Sequence, residues 1–543
     1  MHQLEIVFLL MGLIIAGNLF AIKIKLPLPI VLTITGLLIG IFSYHTLIEV
    51  DPEVVFLIFL PPLLFEAAHN VSWQEFKEFK KPILILAIGL VIFTALCVAG
   101  ISTYLIPNMS IMAGLLLGAI VAPPDAVAAT SATKGLNIPK HITTILEGES
   151  LVNDASSLIL YQFTLLALLS GKVSLIQLPV GFIIMSGGGV LLGLILALIL
   201  TKLLRKIKDP TTITVISILF PMVIYIVAEE LHISGVLAVV SSGLYLSWYS
   251  FSLVNFQTRF KMKEFWEVLT FILNGMIFIL IGLQLPSLVK QFNNHQLFLI
   301  IMDGIIISLV VVFARILWIF PMALINIHQH NKKNSTKIPT NRNTFKQIFI
   351  LSWAGMRGMV SLAIALALPL TMKDGSIFPY RNEIILIAFT VITVTLLLHG
   401  LTLPLIVKCF QIEHDTNSNK ETEKDLRHDI LSQSITYIDN EMSGNYPADT
   451  ILELKKKVST ELKYRTAKDS NILEQEQILL EALRELIEFQ QELLIDIQKN
   501  NNYPTEILRK IEEDIDILSL VINNKYQKWH LNEQNHTANN FKY

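Results

Sequence analysis

Apolar windows about twenty residues long recur over the first three quarters of the chain, separated by short polar connections. A bilayer core about 30 Å thick takes about 20 residues of helix to cross. The pattern predicts thirteen spans, at 4–22, 27–44, 52–71, 82–106, 109–132, 142–170, 179–204, 211–231, 234–249, 265–285, 297–324, 345–368 and 383–409, numbered 1 to 13 in that order. No basic n-region precedes span 1 and no small-residue cleavage site follows it, so it is read as a retained span. Spans 8 and 9 are divided only by Leu231 to Ile233. Past residue 410 the long windows stop. Stretches 421–443, 447–467, 470–499 and 504–525 keep helical apolar spacing, as in Ile478, Leu479, Leu483, Leu486, Ile487 and Leu494, among many charges. The predicted fold class is all-α and polytopic, with a transmembrane domain over 1–410 and a small helical domain over 411–543.

Composition agrees and adds an orientation. Of 543 residues 53% are hydrophobic and 16% charged, too apolar for a chain solvated on all sides. Up to residue 410 there are 26 Lys+Arg against 19 Asp+Glu, and after it 16 against 25. The near-neutral total therefore averages a basic membrane block and an acidic tail, and gives no reason to expect nucleic acid. Cys97 and Cys409 offer neither a metal-ligand spacing nor a disulfide framework. With the N-terminus outside, the odd-numbered connections together with the span ends beside them, Lys202 and Lys346 included, hold 19 Lys+Arg against 4 in the even-numbered ones. The positive-inside rule then predicts a cytosolic tail and a multi-pass protein in the inner (plasma) membrane, surrounded by lipid.

An ionisable group at bilayer depth costs about 2.5–3.5 kcal/mol or more, so each one needs a partner or a purpose. Glu66 lies in span 3, Asp125 in span 5, Glu147, Glu149 and Asp154 in span 6, Glu229 and Glu230 in span 8, Asp303 and Arg315 in span 11, and Arg357 in span 12. In span 6, helical spacing puts Ser150, Asp154 and Ser157 on one face and Glu149 with Asn153 on the next. Such a carboxylate, with hydroxyls above and below, can carry a proton or offer oxygens to a hard monovalent cation. A Glu–Asn pair one stripe away is placed to engage a fixed cation, and Arg357 is the expected one. Serine and asparagine also glue spans together without any site, but packing does not require the three carboxylates.

Two spans carry a break. Pro123 and Pro124 remove two backbone donors just before Asp125, and Gly355 and Gly358 flank Arg357. Opened backbone in a membrane is tolerated only where protein covers it or where it lines a cavity. Spans 5 and 12 are seven apart and so run in opposite directions, as partners in an inverted repeat must. Spans 1–6 and 8–13 are the expected repeats, with span 7 connecting them and the interrupted helices crossing at the midplane.

With those motifs in hand, the chain resembles the monovalent cation:proton antiporter-1 family, the sodium/proton exchangers, and within it the bacterial members with a helical cytosolic tail. The resemblance covers about residues 4 to 410. Its carriers are Leu60-Pro61-Pro62-Leu63-Leu64-Phe65-Glu66-Ala67, Pro124-Asp125, Glu147-Gly148-Glu149-Ser150-Leu151-Val152-Asn153-Asp154-Ala155, Ala228-Glu229 with His232-Ile233-Ser234-Gly235, and Trp353-Ala354-Gly355-Met356-Arg357-Gly358. The resemblance implies a homodimer in which a core carrying the crossed helices moves against a dimerisation domain. It implies Asp154 as the ion- and proton-binding aspartate, with Asn153 as its partner. Ser150, Glu66 and Asp125 complete the ion site, and Glu149 with Arg357 form a structural ion pair. Glu229, His232 and Arg315 are accessory candidates. An Asn before the Asp implies electroneutral exchange. Many members place Thr before the aspartate of span 5, where this chain has Pro124, so cation contacts from that break are expected from backbone carbonyls.

The function expected is antiport of Na⁺, with K⁺ or Li⁺ as alternates, against H⁺, through competition of cation and proton for Asp154. No cofactor is expected, and a regulator of unknown identity is expected to bind the tail. A cation channel is the competing reading, without any selectivity-filter sequence to support it. A transport fold serving as a sensor is another. No Walker motif, HExxH or Ser/His constellation suggests an enzyme.

Overall fold

A computed structural model of the protein describes residues 2–24, 26–42, 52–125, 128–129, 138–170, 177–253, 256–333, 342–372, 376, 378–410, 428–442, 446–466, 478–490, 492–493, 511, 515, 517–519 and 521–522. Among the described residues the regular elements are helices, with no strand. The chain divides into two compact units, Met1–His414 and Asp415–Tyr543.

The first unit is a bundle of apolar helices: α1 (His2–Ile24), α2 (Leu28–Phe42), α3 (Pro52–Asn70), α4 (Lys80–Leu105), α5 (Ile111–Val121), α6 (Lys140–Ser170), α7 (Gln177–Leu204), α8 (Pro210–Glu230), α9 (Gly235–Leu253), α10 (Phe256–Val289), α11 (Asn294–Lys333), α12 (Arg342–Trp353), α13 (Met359–Leu366) and α14 (Arg381–Phe410). Among the described residues seven helices are long and apolar enough to cross a membrane, with shorter apolar helices at Phe8–Ile24, Leu28–Phe42, Ile111–Val121 and Gly235–Tyr249. Their outward faces carry large bare side chains such as Phe20, Ile183, Leu191, Phe313 and Leu317, as a lipid-facing surface does. The protein is a multi-pass membrane protein. The far side of the break in span 5 lies mostly outside the described residues, Ala126 included.

Turn chemistry at the helix starts is local. Asp209 precedes Pro210 and accepts from the Thr212 amide at 2.7 Å and its hydroxyl at 2.6 Å, which holds the Asp209 carboxyl below the usual carboxylate range. Ser110 caps α5 in the same way, accepting from the Ala113 amide.

The helices sort into two lobes. One gathers α4, α5, α6, α11, α12, α13 and α14, and the other gathers α1, α2, α3, α7, α8, α9 and α10. Lipid is as apolar as leucine, so helices in a membrane are held by close packing rather than by expulsion of water. The second lobe shows this at α2 and α10, where a Cβ on Gly36 would collide with the Ile279 carbonyl oxygen and one on Gly282 with the Thr33 carbonyl oxygen. The two backbones touch there.

In the second unit, a helix over 428–437 continues into a wider turn at Ile438–Met442, and a further helix spans Ala448–Thr466, with Lys455 ion-paired to Asp439. The next helix, over 478–490, buries Leu480 and Ile487 while Ile478, Leu479 and Leu486 are exposed. Its inward face is thus displaced from the one the spacing suggested. The remaining tail helices fall largely outside the described residues.

Replacing Gly36 by leucine is expected to cost about 1–3 kcal/mol through overpacking against the α10 backbone, and to lower the melting temperature of the detergent-solubilised protein. Gly12→Leu, where an added Cβ meets nothing within 4 Å, should leave that temperature in place.

Candidate functional site

Prolines 123 and 124 leave the carbonyls of Ala119 and Ile120 without their helical donors. The Ser157 hydroxyl on α6 donates to the Ala119 carbonyl at 2.6 Å, filling one of those vacancies. Four residues earlier on α6, the Asn153 amide donates to the Pro124 carbonyl at 3.0 Å. Asp125 starts the far half of the broken span, since its carboxylate accepts from the Ala128 amide at 3.3 Å as an N-cap does. The second break meets the first. Pro124 and Arg357 form an isolated antiparallel bridge, and the Asp125 amide donates to the Met356 carbonyl at 2.7 Å. Gly358 begins α13, and any Cβ there would overlap the Asp125 carboxylate. Only glycine lets the acid sit at the N-terminus of that helix, whose partial positive charge favours it.

A cavity of about 380 Å³ opens beside the crossing, between the two lobes. Glu66 and Asn70 from α3, Asp125 from the break, and Glu147, Ser150 and Asp154 from α6 line it. The sequence-derived acids Glu66, Asp125 and Asp154 thus come together with Ser150. Carboxylates from both lobes line one cavity, where a positive charge would relieve their mutual repulsion. Among the described residues no group of three His, Cys, Asp or Glu is spaced to hold a metal ion, so a cation there would also need hydroxyl, carbonyl or water oxygens. Asn70 and Ser361 are polar lining residues that sequence reasoning missed. For Asn70 a signal was present. Its amide donates to the Glu66 carboxylate at 2.5 Å from one turn further along α3, a spacing that was open to inspection.

Other candidates lie elsewhere. Asn153 turns to the Pro124 carbonyl instead of the cavity. Glu229 and His232 sit at the end of α8, where His232 is exposed with a left-handed backbone (φ 55°) and its amide donates to the Glu229 carbonyl.

The expected ion pair of Glu149 with Arg357 is not the one formed. Glu149 is held by Arg315 of α11 through two bonds of 2.5 and 2.8 Å, both side chains being buried. The Arg315 guanidinium also donates to the Leu351 carbonyl at 3.2 Å, an acceptor vacated by the break at Gly355. Geometry favours this choice because α11 approaches across the break, so one guanidinium serves both the carboxylate and the freed carbonyl. Arg357 is fully buried nearby, and its side-chain nitrogens have no hydrogen-bond partner among the described residues. Its backbone amide donates to the Thr395 hydroxyl at 3.3 Å.

Comparison with known proteins bears on what this site serves. The model of the family described as "Sodium/hydrogen exchanger, transmembrane" matches residues 6–409. The chain belongs to the sodium/hydrogen exchanger family. This family consists of monovalent cation:proton antiporters, which are transporters. Among its relatives, a sodium, potassium, lithium and rubidium/H⁺ antiporter of Bacillus pumilus is 33% identical over 78% of this chain, and the match takes in 65% of that protein's length. The Na⁺/H⁺ antiporter ApNhaP of Aphanothece halophytica is 31% identical over 71% of this chain and 70% of its own length. In fold, the chain is similar to the sodium proton antiporter MjNhaP1 of Methanocaldococcus jannaschii at pH 8, with a TM-score of 0.59, 20% identity, and coverage of 76% of this chain and 100% of that one.

Arg315→Gln should destabilise this protein by about 3–5 kcal/mol, because it strands Glu149 as an unpaired buried charge. The double change Glu149→Gln with Arg315→Gln should recover part of that loss. In a double-mutant cycle read by thermal unfolding, coupling of Glu149 to Arg315 should exceed its coupling to Arg357, and the reverse order would restore the pairing expected from sequence.

Proposed function

We propose that this exchanger moves Na⁺, and K⁺ or Li⁺ as alternates, against H⁺ by letting cation and proton compete for Asp154. The observation that carries the reading is the convergence of Asp154, Asp125, Glu66 and Ser150 on one cavity between two separately packed lobes. A cation and a proton each neutralise one carboxylate charge, so binding of one excludes the other, and exchange follows if the lobe holding the crossing moves only when occupied. The relatives' names, which span Na⁺ alone to four alkali cations, support a cargo of this class. One-for-one electroneutral exchange, a homodimer built on the second lobe, and a place in the inner membrane with the N-terminus outside and the tail in the cytosol complete the proposal. The acidic tail acts as a regulatory domain, and a ligand bound to it biases the transport states.

The decisive experiment is proton flux in proteoliposomes driven in turn by Na⁺, K⁺ and Li⁺, with and without a membrane potential. Flux tied to an opposing cation gradient and indifferent to potential is the expected result; potential-driven cation flux without protons would point to a channel instead.

Asp154→Asn should abolish cation-driven proton flux in a protein that still folds, since the amide keeps the volume and removes the charge for which the ions compete. Retained flux would remove Asp154 from the centre of the site. Truncation after residue 415 should leave exchange working with an altered dependence on pH or cytosolic ions. Loss of all exchange in a well-folded truncation would make the tail part of the transport machinery.

A further inference from the structure

A second cavity, about 690 Å³, adjoins the first and shares Glu66 and Asn70 with it. Its size is that of a small-molecule site rather than of an alkali cation. Deep in it lies an aromatic surface: Phe65 stands 5.7 Å from Trp266 between ring centroids, and the Trp266 indole donates to Ser217 at 3.2 Å, so its polar handle is already satisfied. Leu200, Leu204 and Leu246 add aliphatic wall. Trp73 and Trp248, both partly exposed, also line a shallower hollow that carries Lys77. Amphipathic rings of this kind mark a membrane–water boundary.

The charge on this wall is unexpected for a cation route. Arg259 and Lys263 line the cavity four residues apart on α10, hence on one face. Lys263 meets Glu267 only at 3.8 Å in an exposed pair, which leaves its charge largely available. Just beyond Leu200 and Leu204, the end of α7 and the turn after it supply Lys202, Arg205, Lys206 and Lys208. Two fixed cations in the wall oppose entry of a bare Na⁺, whereas an anionic head with an apolar chain satisfies the basic residues and the aromatic surface together.

We infer that this vestibule binds an anionic membrane lipid, with its phosphate held by Arg259 and Lys263 and its chain against Trp266 and Phe65. The occupant lies against Glu66 and Asn70, which the two cavities share, and so slows exchange at the neighbouring site. The binding stands on the cavity alone, while the effect on exchange rests on the antiport reading above.

The test uses the full chain in detergent, titrated with a lysophosphatidylglycerol whose brominated chain quenches nearby indoles, and with the matching lysophosphatidylcholine. Saturable quenching by the anionic form is expected, weakened roughly tenfold or more in the double variant Arg259→Gln with Lys263→Gln. Thermal unfolding checks that this variant folds, and Lys263→Gln alone, with a smaller shift, serves if it does not. Equal quenching by both lipids, or equal affinity in the variant, overturns the site. Competition by inorganic phosphate alone would make the ligand a soluble anion and overturn the lipid assignment. In proteoliposomes, added phosphatidylglycerol should slow wild-type exchange several-fold and leave the double variant unaffected. An equal response of both proteins overturns the blocking role while the binding result stands; absence of exchange in every lipid overturns the antiport reading instead.

Discussion

A carbonyl without a donor is expensive where water is scarce, and that single cost organises the centre of this molecule. Two adjacent prolines vacate the Ala119 and Ile120 carbonyls, and a glycine-flanked break vacates that of Leu351. The groups near these vacancies are the ones that define the site: Ser157 on Ala119, Asn153 on Pro124, Arg315 on Leu351, and the Asp125 amide on Met356. Each brings a second functional group into position. Asn153 and Ser157 fix the rotation of α6 and with it Ser150 and Asp154, while Arg315 fixes Glu149. The polar centre is therefore a consequence of repairing two broken helices against one another.

The division into lobes gives this centre a boundary. Asp125, Glu149, Asp154, Arg315 and Arg357 all belong to the lobe containing the crossing, whereas Glu66 and Asn70 belong to α3 of the other. The cavity lies along the seam, so sliding of one lobe past the other changes which carboxylates face each other without disturbing the bonds that hold the breaks together. The tight α2–α10 contact lies wholly within the second lobe, away from the seam.

Much of this was legible in the residues. Apolar length gave the helices, and the 3.6-residue repeat correctly separated the Asp154 stripe from the Glu149 stripe, because both are properties of a single helix. The proline and glycine breaks announced the crossing, because both residues act on their own backbone. Partnership between helices was not legible. Two arginines stood in the apolar chain with one carboxylate stripe to share, and periodicity states which face a residue occupies but not which helix comes to meet it. Arg357 was chosen for its place at the break; Arg315 took the pair because its helix reaches Glu149 and Leu351 together. Asn70 escaped notice for a different reason, since an amide near a helix end carries no charge to demand explanation.

The unsatisfied Arg357 has a consequence for leakage. Five ionisable side chains gather at the crossing, Arg315 and Arg357 with Glu149, Asp125 and Asp154, and in their charged forms they leave one negative charge in excess. Under the exchange proposed above, one monovalent cation or one proton would bring that formal tally to zero. Moving an uncompensated ion into hydrocarbon costs several kcal/mol, so a lobe that moves as proposed would cross more readily with either passenger than with none. In that exchange Arg357 would act as ballast: without it the loaded lobe would itself be charged, and the empty return that uncouples the two fluxes would no longer be the only disfavoured journey.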